Sequence, residues 1–162
     1  MAKAKENKTN AMRILERAGI SFRTIQYECE NFIDAVAIAD LLGEPYEKVY
    51  KTLVTVGDDR QYYVFVIPIA EELDMKKAAR SVGAKSVSMI HVKDINAVTG
   101  YIRGGCTAIG MKKQYVTRVD RSAEELSEMI VSGGRIGTQL ELLPSDLLSA
   151  SGAEYADLLM HK

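Results

Sequence analysis

Apolar residues recur at helical spacing from Thr9 onward: Ala11, Ile14, Leu15 and Ala18 fall on one face, Thr9 or Asn10 can act as N-cap, and Gly19 supplies a left-handed stop. The spacing then shifts to alternation over Ile20–Tyr27, which predicts a strand with Tyr27 at its end. A helical pattern returns from Asp34 to Leu42 and closes at Gly43 and Pro45. Two β-branched and aromatic runs, Val49–Val56 and Gln61–Pro68, flank Gly57-Asp58-Asp59-Arg60 and predict a hairpin. Beyond it the pattern predicts a helix over Ala70–Val82, a short strand over Val87–Ile90 and a short helix over Val92–Val98. Strands follow at Gln114–Asp120, Met129–Gly134 and Thr138–Leu142, with a capping-box spacing at Ser122–Glu125 and a helix opening on Pro144. The tail after Gly152 carries no assignable pattern.

Roughly six or seven strands and four or five helices in irregular order do not make the strict strand-helix alternation of a doubly wound sheet. The expectation is an α+β fold: a mixed, largely antiparallel curved sheet, barrel-like, with surrounding helices. Residues 1–162 read as one domain, with 1–8 flexible. At that length folding buries roughly 70% of the unfolded chain's surface, so neither disulfides nor a metal are required for stability.

Composition changes this picture little. The chain is 47% hydrophobic and 27% charged, with a net charge of −1, so it offers no global electrostatic pull on nucleic acid, although a local basic patch is not excluded by a sum. Its two cysteines, Cys29 and Cys106, are far apart and lie in no C-x-x-C motif, which argues against a zinc ribbon or a thioredoxin-like site. No apolar run approaches a membrane span, and the polar start has no signal-peptide core; the expectation is a cytoplasmic protein.

Candidate chemistry gathers at three places. Four of the 12 glycines fall between Gly100 and Gly110, in a run that ends on Lys112-Lys113. Glycine packs poorly in helix or sheet but lets backbone amides approach a partner closely. A second glycine turn, Ser132-Gly133-Gly134, follows a predicted strand. Lys51 shares an apolar strand face with Val49 and Leu53, which places it either where the strand emerges into solvent or in a cleft where its ammonium serves a ligand. Conventional catalytic sets are missing: the only histidines are His91 and His161, and there is no H-E-x-x-H, G-x-S-x-G, Walker or dinucleotide fingerprint. No metal and no cofactor are expected. Without a histidine base beside it, Cys106 reads as a packed loop thiol rather than a nucleophile. What remains suits a site that binds a polar group through backbone amides and steadies a developing oxyanion.

Three ordered motifs, Val49-Tyr50-Lys51-Thr52-Leu53, Gly100-Tyr101-Ile102-Arg103-Gly104-Gly105 with Ile109-Gly110-Met111-Lys112-Lys113, and Val131-Ser132-Gly133-Gly134-Arg135-Ile136-Gly137, resemble the YbaK family of aminoacyl-tRNA deacylases, relatives of the editing domain of bacterial prolyl-tRNA synthetases. The resemblance runs from the first helix to Leu148. It implies a free-standing domain that hydrolyses mischarged tRNA, characteristically Cys-tRNA(Pro), with the substrate's own thiol attacking its ester while the protein positions it. By motif, Lys51 would hold the tRNA terminus and the Gly104 and Gly105 amides would contact the substrate carbonyl. Tyr27 would line the aminoacyl pocket, and Thr107, Ser132 and Gln139 would complete substrate binding. The implied partners are the acceptor end of proline tRNA and prolyl-tRNA synthetase, with no DNA and no membrane. The chain departs from the family's habit at Thr107, where serine is usual, at Ala108, where proline is common, and at Gln139, where an aspartate is common. Ala-tRNA(Pro) deacylation, a non-catalytic tRNA-binding or synthetase-binding module, and thiol chemistry at Cys106 are the competing readings.

Overall fold

The computed structural model describes residues 8–27 and 35–160. Its organising element is the hairpin of β2 (Tyr50–Gly57) and β3 (Tyr62–Pro68), paired from Tyr50↔Pro68 to Val56↔Tyr62. The turn closes with Gly57 N–H donating to the Gln61 carbonyl at 2.8 Å, while the Asp59 carboxylate accepts from the Gln61 amide and the Tyr63 hydroxyl. Val64, Phe65, Val66 and Ile67 are all fully buried, because β3 is covered on both faces; its unbroken apolar run is the signature of such a strand.

β4 (Val87–Met89) lies antiparallel on the outer side of β2. On the other side β5 (Val116–Asp120) runs parallel to β3, and β8 (Glu154–Ala156) parallel to β5, giving the order β4-β2-β3-β5-β8. A second, three-stranded antiparallel sheet has the order β1-β7-β6, from β1 (Arg23–Gln26), β7 (Thr138–Leu142) and β6 (Met129–Arg135). The two sheets meet at one parallel bridge, Val49↔Ile130.

The mixed α+β architecture is the expected one, but the sheet is not closed into a barrel. One bridge joins the two sheets, so they diverge from that seam rather than continuing as a ladder.

Helices cover the faces. α1 (Asn10–Arg17) is capped by Thr9, whose hydroxyl accepts from the Met12 amide at 3.2 Å. α3 (Met75–Val82) starts later than the apolar pattern suggests, because Asp74 takes the N-cap through the Lys76 and Lys77 amides. Asp120, not Ser122, caps the next turn: residues Arg121–Glu125 form a 3-10 turn, and the Asp120 carboxylate accepts from Ser122 N at 3.0 Å. α4 (Ile95–Thr99) and α5 (Pro144–Ser151) end at Gly100 and Gly152, both with positive φ.

The main core lies between the two sheets and α1 and α5, around Leu15, Val64, Ile109, Val119, Met129 and Leu140. A second core packs Phe65, Ile67 and Leu158 under α3. A small third cluster, Ala39, Val49, Ile69 and Ile130, fills the seam beneath α2 (Ala35–Leu42).

One charged group is buried beside that seam. Glu141 on β7 is only 6% exposed and receives Arg23 Nε at 2.8 Å and Lys48 Nζ at 2.5 Å. Burial alone would push its carboxyl up, but the hydrogen bonds and charges of Lys48 and Arg23 outweigh this and hold it below the usual carboxylate range. The cluster ties β1 and the turn after α2 to β7. Because the folded pKa is depressed, this stabilisation is present above the ordinary value of 4.5 and is lost as the pH falls through the folded pKa. Glu141→Gln is expected to lower stability by about 2 kcal/mol at neutral pH. In urea titrations the gap from the parent chain should narrow below about pH 4.5.

Candidate functional site

Two glycine turns, one after α4 and one at the end of β6, lie backbone against backbone. In the first, Gly100, Gly104 and Gly110 all have positive φ, and Gly105 packs so closely on β6 that an added Cβ would lie 2.7 Å from Arg135 Cα. No side chain fits there. The loop is braced internally by Tyr101, buried at 8% exposure, whose hydroxyl donates to the Ile109 carbonyl at 2.5 Å; burial pushes that phenol up to about 12. Gly105 N–H donates to the Ile102 carbonyl at 2.9 Å, so this amide is spent inside the turn.

The second turn interrupts the β6–β7 ladder. Ser132 pairs with Gln139, but the next paired residue on β6 is Arg135, opposite Thr138, so Gly133 and Gly134 bulge out. Ser132 Oγ accepts from the Gly134 amide at 3.3 Å.

Between these turns and the sheet seam opens a cleft of about 620 Å³. Val36 and Ile38 of α2, Ile69, and Ile90 and Ile95 from the β4–α4 side make its walls largely apolar. Lys51, Gly104, Ser132 and Gln139 line it together, although they come from four separate stretches of chain. The geometry of the seam explains this: Lys51 and Ser132 each lie two residues beyond the parallel Val49↔Ile130 bridge, on adjacent strands, and Gln139 sits opposite Ser132.

Lys51 is half-buried, with Nζ donating to the Ile69 carbonyl at 3.3 Å. Desolvation pushes its pKa down, and the charge of Glu72 only partly opposes this. Among the described residues lining the cleft, the charged ones are Lys51 and Arg103, both cationic. Cys106 also lines it, but burial pushes its thiol up to about 11, which keeps it protonated near neutrality. Among the described residues no group of three or more His, Cys, Asp or Glu side chains is placed to hold a metal ion. No helix of the described residues is long and apolar enough to cross a membrane.

Three of the residues singled out from the sequence do not line the cleft. Gly105 stands behind Gly104, against Arg135. Thr107 is fully buried, with Oγ1 receiving the Ile109 amide at 3.5 Å. Tyr27 sits at the end of β1 with its N–H on the Gly137 carbonyl at 3.0 Å, and its buried hydroxyl has no partner among the described residues. Cys29 and His161 lie outside the described residues. Sequence reasoning passed over Arg103, although it stands inside the glycine run, and it did not foresee that α2 supplies a wall; the near-continuous apolar character of Ala35–Leu42 was the available signal.

Known proteins resemble this chain in sequence and in fold. Residues 29–150 match the family described as the aminoacyl-tRNA editing domain. A curated protein of Enterococcus faecalis, named as a Cys-tRNA(Pro)/Cys-tRNA(Cys) deacylase, EbsC, is 44% identical over 160 residues, covering 98% of each chain. A crystal structure described as a trans-editing enzyme for prolyl tRNA synthetase superposes with a TM-score of 0.81 at 24% identity, covering 96% of this chain and 100% of the other. Both of those names are provisional. A crystal structure of a hypothetical protein superposes with a TM-score of 0.82 at 25% identity, covering 91% and 97% of the two chains.

Two outcomes follow from the electrostatics of the cleft. Because the folded pKa of Lys51 lies below the ordinary 10.5, its charge opposes folding at neutral pH, and that penalty disappears as the pH rises towards the ordinary value. Thermal melts of Lys51→Met should therefore show a higher Tm than the parent at about pH 7, with the gain fading by about pH 10. Alkylation of Cys106 by iodoacetamide, followed by mass spectrometry, should be slow near neutrality and accelerate towards about pH 11.

Proposed function

The chain belongs to the aminoacyl-tRNA editing domain family, and we propose that it is a trans-editing deacylase that removes cysteine from mischarged proline tRNA. The observation that carries this reading is the convergence of Lys51, Gly104, Ser132 and Gln139 on one cleft whose own thiol is held protonated. Such a site positions a reactive substrate: among the described lining residues there is no histidine to activate a hydroxyl or the thiol.

In the reaction the cysteinyl sulfur, as thiolate, attacks the carbonyl carbon of its own ester. The carbon–oxygen bond to the terminal ribose breaks, the ribose oxygen takes up a proton from solvent, and water opens the resulting thiolactone to free cysteine. Lys51 holds the terminal ribose or phosphate oxygens, where its ammonium also favours the anionic transition state over the neutral ester. The Gly104 amide faces the carbonyl oxygen. Ser132 and Gln139 hydrogen-bond the aminoacyl group or the ribose. Gly105 serves by its close approach to β6 rather than by its amide, and Thr107 supports the loop from beneath. The cationic pair of Lys51 and Arg103 suits both a thiolate and the phosphates of the acceptor end. Prolyl-tRNA synthetase is the partner that supplies selection of proline tRNA, and the protein works in the cytoplasm, where charged tRNA is used.

Purified protein should release cysteine from Cys-tRNA(Pro) in preference to the amino acids of Ala-tRNA(Pro) and Ser-tRNA(Pro), with Cys-tRNA(Cys) included to measure tRNA selectivity. Lys51→Ala is expected to lower kcat/KM by about 10²–10³-fold while remaining folded, and Cys106→Ser to stay within about threefold of the parent. Intact Cys-tRNA(Pro) at micromolar protein, beside a working control, would sink the proposal.

A further inference from the structure

The first helix touches the site without entering it. Its capping residue, Thr9, is buried, and its hydroxyl does two things at once: it accepts from the Met12 amide at 3.2 Å and donates to the Gly133 carbonyl at 2.6 Å. Gly133 follows Ser132 directly, inside the bulge where the β6–β7 ladder has lost its register, so the hydroxyl stands in for a missing ladder donor. The side chain of Thr9 also walls in Gly134 from one side, with the ring of Tyr101 nearby; a Cβ on Gly134 would lie 3.1 Å from Thr9 Cβ and 3.3 Å from the Tyr101 ring.

The neighbouring residue reaches the other loop. Asn10 Nδ2 donates to the Gly110 carbonyl at 3.0 Å, and its side chain also hydrogen-bonds the Tyr101 hydroxyl, which in turn holds the Ile109 carbonyl. Two consecutive residues at one helix start therefore fasten both glycine turns, at the sites where each lacks regular secondary-structure partners.

We propose that Thr9 and Asn10 are positioning residues for deacylation, setting the Gly104 backbone of the first turn and the Ser132 hydroxyl of the second at a fixed separation across the cleft. The inference rests on the deacylase reading above. Neither residue lines the cleft, so their loss should leave substrate affinity nearly unchanged and lower the rate of the chemical step, which depends on sub-ångström placement of the amide and the hydroxyl.

The variants separate this role from helix capping. Thr9→Asp keeps an N-cap acceptor but cannot donate to Gly133. Thr9→Ser keeps both functions. Asn10→Ala improves helix propensity while deleting the bond to Gly110. With Cys-tRNA(Pro) as substrate, Thr9→Asp and Asn10→Ala are each expected to lower kcat by about tenfold with KM within about twofold, and Thr9→Ser to restore parental kcat. Amide hydrogen exchange over 100–113 and 132–137 should quicken in Thr9→Asp and Asn10→Ala but not in Thr9→Ser. Should Thr9→Asp not fold, Asn10→Ala decides the matter alone.

Parental kcat in Thr9→Asp and Asn10→Ala, a loss confined to KM, or a Thr9→Ser variant as slow as Thr9→Asp would each overturn the assignment. A parent chain that leaves every ester intact instead overturns the deacylase reading, and the exchange measurement still reports whether the loops were fastened.

Discussion

The contact of Gly105 with the backbone of Arg135 leaves no space for a β-carbon, and most of the cleft's architecture follows from that closeness. Two irregular backbone segments can approach this tightly only if their polar groups are satisfied by something other than a regular ladder. The chain supplies those partners one by one. Gly105 N–H turns back on Ile102, Tyr101 reaches Ile109, Thr9 reaches Gly133 and Asn10 reaches Gly110. With its neighbour pinned in this way, Gly104 is left facing the cleft at a positive φ that few other residues adopt readily.

The electrostatic character of the cleft complements this rigidity. Its walls are apolar and its described charged lining residues are cations, so it stabilises negative charge that develops during a reaction more than it stabilises a neutral ester. Lys51 pays a desolvation cost for standing there, visible in its depressed pKa. A short polar residue at that position would be easier to accommodate but would carry no charge to the cleft. Burial acts on Cys106 in the same sense, favouring the uncharged form: its pKa is pushed up to about 11, so this thiol stays protonated near neutrality.

Much of the scaffold was legible because its signals are local. The β2–β3 hairpin is written in two β-branched runs around a Gly-Asp turn, and α1 in a spaced apolar stripe with a threonine before it and a glycine after. The unclosed sheet was not legible, since it depends on a single bridge between Val49 and Ile130. Nor was β8, whose three residues become a strand only because β5 offers them an edge. The site divided along the same line. Lys51 stood out as a cation on an apolar face, and both glycine turns stood out by composition. That the Gly105 amide is consumed within its turn, and that Thr107 lies beneath the loop, are outcomes of tertiary folding that motif spacing does not encode. Arg103 was visible in the sequence, but an arginine in a loop gives no sign of which way it faces.

The Val49–Ile130 bridge has a further consequence in time. The hairpin that carries Lys51 has its partners close by in the chain, so it can form early in synthesis. The strand that places Ser132 beside it arrives much later, and Gln139 later still. Contacts of such wide sequence separation are made last, after the entropy of closing a long loop has been met. A chain made only through β3 would therefore carry Lys51 on an open apolar face with no cleft around it. The cleft can act only after the chain has been made through Gln139, and before that point the chain is exposed to association through that face rather than to premature chemistry.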